Sequence, residues 1–551
     1  MLVIRSTHYT APHLPPPLPT ESYPPWVIDP PARRSHWCQR IASALTWRNE
    51  PSQVNVRFLP GNIPQRRLTD PVRCRPRDVN LQLPDDVLLA IFDFCVIEGS
   101  TTKKEIEGWQ SLVQVCRQWR TVVFGSPRRL NLRLFCATKT QTPVRDTLDI
   151  WPALPLVIRG GVDDVDETEE LDNIIAVLER SDRVCYINLS NLSHSGHNAA
   201  AMQKSFPELT HLRLHSNDVT TIVPDSFLGG SAPRLQLLRL DGIPFPGLPK
   251  LLLSATHLVT LHLRNIPHSG YIAPEVIVTA LSTLTSLETL GLGFWSRESF
   301  PDGESPRPPP PPLTRSVLPV LTKLDFEGTN NYLEDLVARI DTPQLSSLRI
   351  TLFSPDIFDD TPQIIQFISR TPNLKAFKEA RLTFMNVARL TLSSSNGSGY
   401  GVLDVKILRR SSNWQVYLMG QVCTSCLPPL SSLEDLYIYE DPRLPQNWKD
   451  NVSSTNWLEL LHSFSAVRSL YLCEEFALRI APVLHDLVGG RTTEVLPALR
   501  NIFLEGLQPS GPVQERIAKF VAARQLSGHS IAISLWERGG ASLGLGTTTY
   551  S

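Results

Sequence analysis

Leu209-Thr-His-Leu212-Arg-Leu214, Leu235-Gln-Leu-Leu238-Arg-Leu240 and Leu258-Val-Thr-Leu261-His-Leu263 share one arrangement, apolar-x-x-apolar-x-apolar. The same order stands at Val184/Ile187/Leu189 and Leu287/Leu290/Leu292. Among these five copies the start-to-start spacings are 25, 26, 23 and 29 residues. Six more follow at Leu321/Leu324/Phe326, Leu345/Leu348/Ile350, Val387/Leu390/Leu392, Leu433/Leu436/Ile438, Val467/Leu470/Leu472 and Leu499/Ile502/Leu504. Random leucine-rich sequence would not hold that register eleven times. A unit of this size cannot bury its apolar side alone, but stacked units share one core and align their short strands.

A period of about 20–29 residues is that of leucine-rich repeats. The pattern therefore predicts an α/β solenoid, a curved parallel sheet with outer helices. Spacings of 34, 42 and 46 residues later in the chain mark inserted segments. One is the run from Glu304 to Pro312, where five consecutive prolines exclude helix and sheet. Another, residues 402–418, alternates at Val405 and Ile407 and again at Trp414, Val416 and Leu418. It reads as a β-hairpin projecting from the array. Alternation at Leu130, Leu132 and Leu134, and at Leu154, Leu156 and Ile158, predicts two strands before the first copy. Pro207-Glu-Leu209 and Pro372-Asn-Leu374 sit where a helix must stop before a strand. A helix over Val513–Leu526 and a strand over His529–Leu535 are expected to cap the last open face.

Upstream the period is helical. Leu83-Pro84-Asp85-Asp86 opens a helix, with proline in its first turn and acids at the positive end of its dipole. Val87, Leu88, Ile91, Phe92 and Cys95 give it an apolar face. A second helical run carries Trp109, Leu112, Val115, Cys116, Trp119, Val122 and Val123, and Ser126-Pro127 ends it. Residues 1–78 have nine prolines between Pro12 and Pro31, and eleven arginines against five acids. They read as a solvated disordered tail, with a polyproline ligand or basic tether as the other reading.

The segment 81–127 resembles an F-box. The resemblance rests on Leu83-Pro84, on the helix holding Ile91-Phe92, and on Val115-Cys116-x-x-Trp119. It departs from the family pattern at Val96 to Gly108, a longer and more polar connector than usual. F-box followed by leucine-rich repeats resembles the substrate receptors of ubiquitin ligases. Leu130-Asn-Leu-Arg-Leu-Phe-Cys136 and Trp151-Pro-Ala-Leu-Pro-Leu-Val-Ile158 are similar to the large F-box families of mushroom-forming fungi. The resemblance implies an F-box at 79–128, a repeat solenoid at 129–537 and a flexible tail at 538–551. It also implies a Skp-type adaptor docked on Leu83, Pro84, Val87, Leu88, Ile91, Phe92, Leu112, Val115, Cys116 and Trp119. Through that adaptor it implies a cullin, with an unknown substrate protein on the repeats. The alternative is a scaffold that holds the adaptor without ubiquitination.

Composition narrows the rest. The 551 residues carry 53 basic and 54 acidic side chains, a net charge of −1. That balance argues against a whole-chain nucleic-acid binder. No apolar stretch approaches the ~18 residues of a membrane span, and the apolar start is too short for a signal peptide. Nine cysteines inside apolar patterns read as reduced thiols, so a cytoplasmic or nuclear location is expected and the sequons at Asn188, Asn191, Asn396 and Asn451 carry no meaning. Phosphate-loop, zinc-protease and nucleophile-elbow motifs are missing. Cys423-x-x-Cys426 lacks two further ligands, and the acids of 163–172 lack a calcium loop's glycine. No enzyme activity, cofactor or metal is expected.

Strand side chains alternate, so the residue between the second and third apolar positions faces away from the core. That set is Asn188, Arg213, Arg239, His262, Gly291, Asp325, Arg349, Thr391, Tyr437, Tyr471 and Phe503, with His211, His215, Arg264 and Tyr439 as strand neighbours. Early repeats are expected to present arginine and histidine, an anion-attracting patch at Arg213, Arg239, His262 and Arg264. Late repeats are expected to present tyrosine and phenylalanine to an apolar stretch of the substrate. The other reading is an ordinary repeat surface.

Overall fold

The computed structural model describes residues 83–95, 106–138, 143–151, 153–161, 167–190, 201–217, 222–300, 314–353, 362–375, 377–384, 387–394, 401–408, 412–427, 430–440, 452–488, 491–505 and 511–536. The expected tails at 1–78 and 538–551 and the proline run at 304–312 lie outside these residues.

Among the described residues the first helices are α1 (Asp85–Cys95), α2 (Trp109–Val113) and α3 (Arg117–Gly125). The second helical run of the sequence is thus two helices. Cys116 is extended (φ −157°, ψ 172°), and its Sγ accepts the Trp119 amide as the cap of α3. After β1 (Leu134–Ala137), α4 (Val144–Ile150), β2 (Leu156–Gly161) and α5 (Glu167–Leu178), regular repeats begin. Leu130 and Leu132 are buried as expected but precede the strand.

The next strands are β3 (Val184–Ser190), β4 (His211–His215), β5 (Leu237–Asp241), β6 (Thr260–Ile266) and β7 (Thr289–Phe294), with α6 (Leu248–Leu252) and α7 (Pro274–Leu281) between them. There follow β8 (Ser316–Val317), β9 (Lys323–Gly328), α8 (Asn330–Arg339), β10 (Ile340–Asp341), β11 (Ser347–Leu352) and α9 (Pro362–Arg370). Three strands, β12 (Glu379–Phe384), β13 (Ala388–Ser393) and β14 (Val402–Ile407), precede α10 (Ser412–Gln421). The chain continues through β15 (Asp435–Tyr439), α11 (Ser454–His462), β16 (Ser469–Leu472), α12 (Glu474–Asp486) and β17 (Asn501–Glu505). It reaches α13 (Pro512–Leu526) and β18 (Ala532–Trp536) at the end of the described residues.

Sixteen strands form one sheet in the order β1-β2-β3-β4-β5-β6-β7-β9-β11-β14-β13-β12-β15-β16-β17-β18. All of its pairings are parallel except the two made by β13. The apolar register is the reason for the alignment. Leu212, Leu238, Leu261, Leu290 and Leu324 pair in successive strands and are completely buried. The lead residues Leu209, Leu235, Leu258, Leu287, Leu321 and Leu345 lie in the same core, where helix residues such as Ile277, Leu281, Leu333 and Phe367 meet them. The described residues form a mixed α/β array on one long, mostly parallel sheet, consistent with a leucine-rich-repeat-like solenoid.

Three expectations are corrected. The run 402–418 is not a projecting hairpin: Val402–Ile407 is an interior strand, paired with β11 and β13, and 412–421 is helical. The copy at Val387/Leu390/Leu392 does not begin a repeat, because its strand runs antiparallel and Val387 is half-exposed. The terminal strand does not close the array among the described residues. Ile533 and Leu535 of β18 lie in the leucine register yet are 44% and 71% exposed.

Candidate functional site

Two surfaces stand out, one on the N-terminal helices and one on the sheet face opposite the leucines. On the helices, burial divides the ten residues named above. Leu88, Phe92 and Leu112 are buried and form the unit's own core. Trp119 is half-buried with its ring edge-on to Phe92, centroids 4.9 Å apart. Those three buried residues, expected on the binding face, point inward because a short three-helix unit needs them to close. Leu83, Pro84, Val87, Val115 and Cys116 are exposed, and Ile91 is half-buried. Phe94, unremarked in the sequence, is 71% exposed. Val87, Ile91 and Phe94 fall at helical spacing on one face of α1.

The unit is fastened to the array and to itself by its other side. Trp109 Nε1 donates to the Arg133 carbonyl at 2.9 Å, and its ring meets Phe124 and Trp151 edge-on. The Gln118 side-chain amide donates to the Leu83 carbonyl at 3.0 Å, tying the start of α1 to α3.

On the sheet, pairing brings the whole expected outward set into one column: Asn188, Arg213, Arg239, His262, Gly291, Asp325 and Arg349 in successive strands. It continues through Asp404, Thr391, Arg381, Tyr437, Tyr471 and Phe503. Asp404 and Arg381 were missed because their strands break the repeat pattern.

The early part is basic, though less so than expected. His262 is buried, and burial together with Arg264, Arg239 and Arg213 lowers it to about 4; it is a neutral imidazole at pH 7. His211 is lowered by burial and by Arg133 and Arg213. Asp241 stands inside the cluster, 3.6 Å from Arg239 and 3.7 Å from His215. Despite its burial, hydrogen bonds from His215 and Asn265 keep it below the usual carboxylate range. Among the described residues, the guanidiniums of Arg213, Arg239 and Arg264 share this part of the face with the Asp241 carboxylate. Arg349 lies away from them, 4.0 Å from Asp325.

The late part is a stack. Tyr437 and Tyr471 lie 4.2 Å apart at 10°, and Tyr471 and Phe503 4.4 Å apart at 6°. The Arg381 guanidinium covers the Tyr437 ring, and Trp536 meets Tyr471 edge-on and Tyr437 at a tilt. Ring faces are thereby spent on one another, and what remains outward is ring edges and hydroxyls. Tyr439 is buried, not presented.

Between these parts lies a polar depression of about 340 Å³, lined by Asp241, Arg264, Gly291, Gly293, Asp325, Glu327, Arg349 and Lys406 among others. It exists because β7 carries glycine at two successive outward positions, Gly291 and Gly293. Beyond it, Arg389 and Asp404 form a two-pronged ion pair at 2.7 and 2.8 Å.

Among the described residues there is no group of histidine, cysteine and carboxylate residues able to hold a metal, and no helix is long and apolar enough to cross a membrane. Burial pushes the Cys136 thiol up to about 12 and raises Cys185 as well.

No family model matches the chain, and no curated protein matches it. Among solved structures, it is similar to the leucine-rich repeat-containing protein LegL7 from Legionella pneumophila. That match has 13% identity and a TM-score of 0.25, over 61% of this chain and 97% of that one.

Proposed function

We propose that the protein is a recruiting subunit of a Skp/cullin/F-box type ubiquitin ligase. In this reading the N-terminal helices dock a Skp-type adaptor, and the open face of the sheet holds a client protein. The observation that carries it is the division of labour in the helical unit. One side, through Trp109, is fastened to the array. The other leaves Leu83, Pro84, Val87, Val115 and Phe94 exposed, an apolar stripe suited to a partner's groove. The sheet face adds support: a column of arginines, carboxylates and aromatics repeated strand by strand is a surface that can read an extended chain.

The test is co-expression with a Skp-type adaptor and a cullin. Wild type is expected to capture both, and Val87→Asp combined with Phe94→Asp to capture neither while keeping its melting temperature. Capture of the adaptor without the cullin would favour a scaffold that does not ubiquitinate. Undiminished adaptor capture by the double variant would remove the F-box reading.

A further inference from the structure

The depression over β7 is a slot with an arginine on one side and two adjacent carboxylates on the other. Its floor is Gly291 and Gly293. On one side, β6 presents Arg264, paired on β5 with Asp241, while Arg239 and Arg213 on β5 and β4 lie one outward position earlier, in line with His262. On the other, β9 presents Asp325 and Glu327. The two walls are two strand spacings apart, about 10 Å, so they face each other across the bare strand. Arg349 on β11 lines the same depression, 4.0 Å from Asp325. Among the described residues no ion pair or hydrogen bond holds Glu327, and Lys406, two strands away, lines the same depression. Burial raises both Asp325 and Glu327 above the ordinary carboxylate range, against the pull of Arg264 and Lys406 on both.

We infer that the open face takes an extended partner segment with an acidic residue on Arg213, Arg239 and Arg264 and a basic residue in the slot against Asp325 and Glu327. The inference rests on the reading of this face as the client surface and adds the chemistry of the client. From β4 or β5 to β9 is three or four spacings, about 14–19 Å. An extended chain covers about 3.3 Å per residue, so acid and base are about four to six positions apart.

The experiment uses the full chain and synthetic peptides of the form Glu-Glu, a Gly/Ser spacer of one to eight residues, then Arg-Arg. Binding is expected to peak at an intermediate spacer and to fall about tenfold or more when either charged end becomes serine. Gly293→Leu fills the slot and leaves every charge in place. A β-carbon there meets Glu327 Cβ at an ordinary 3.5 Å, so the variant is expected to fold and to lose the spacer preference. Glu327→Lys is expected to reverse the preference at that end from arginine to glutamate. Binding indifferent to the spacer, or equal for all-acidic peptides, overturns the inference. So does binding unchanged by Gly293→Leu. Proximity-labelled clients separate the two levels. If Arg213→Glu loses them while the peptides show no pattern, the docking reading stands without this chemistry. If Arg213→Glu and Gly293→Leu both keep them, the docking reading falls too.

Discussion

His262 on β6 packs against the bare backbone of Gly291 on β7, so closely that a β-carbon on Gly291 would overlap the imidazole Nδ1. The neighbouring Gly293 has ordinary contact distances around the same imagined atom. The two glycines floor one slot but differ in tolerance. Gly291→Ala is expected to destabilise by about 1–3 kcal/mol, the usual result of overpacking, whereas Gly293→Ala stays near wild type. Urea midpoints of the two variants check this.

The same histidine makes stability depend on acid. Its folded value is about 4 against an ordinary 6.5, so the unfolded chain binds its proton first as pH falls. Its contribution is complete above about pH 6.5 and is lost as pH falls through 4, an upper bound of about 3 kcal/mol. His215 acts in the opposite sense. Its partnership with Asp241 raises it, and that contribution is present below its ordinary value and lost as pH rises; at 42% side-chain exposure it is screened. Denaturant midpoints between pH 7.5 and 4 should fall more steeply for wild type than for His262→Asn. Equal slopes would count against the buried neutral imidazole.

Glu334 of α8 is buried and accepts the amides of Gln363 and Ile364 at the start of α9, both at 2.9 Å. One repeat thereby caps the helix of the next. Glu334→Ala leaves these donors without that acceptor and is expected to cost about 2–3 kcal/mol, with faster hydrogen exchange at those two amides. Glu334→Gln should lose less.

Within the helical unit, Phe92→Ala removes a fully buried ring and is expected to destabilise that unit by about 3–5 kcal/mol. Val87→Asp alters a 39% exposed position and should leave melting unchanged. Thermal melts of the two variants distinguish the core side of α1 from its outward side.

The outward column was legible because alternation fixes which residues leave the core, and eleven copies fix the register. Strand direction is not carried by alternation, so Val387/Leu390/Leu392 reads as a repeat although β13 runs backwards. The neighbouring Phe377-x-x-Ala380-x-Leu382 has the repeat spacing and leads a strand parallel to β15, but its alanine hid it. Val416, Met419 and Val422 are buried at helical spacing, which the coincident alternation of Trp414, Val416 and Leu418 masked. Asp241 was missed as the partner of Arg239 and His215 because its pairing with His215 exists only once β4 and β5 are side by side. The slot was invisible for a related reason: a glycine in a list is a blank, and becomes a cavity only between walls.

The reversed trio β14-β13-β12 has a mechanical consequence. Pulled from the C-terminal side, β18, β17, β16 and β15 can peel away singly, each in turn the exposed edge. The next strand along the chain is then β14, which is held between β11 and β13 and is not at the edge. Unzipping cannot proceed by one seam there. Drawing β14 out breaks two seams at once, six registered residue pairs with β11 and six with β13, where each edge strand before it breaks one. The trio thus works as a ratchet pawl that divides the solenoid into a C-terminal part that yields gradually and an N-terminal part shielded from that pull.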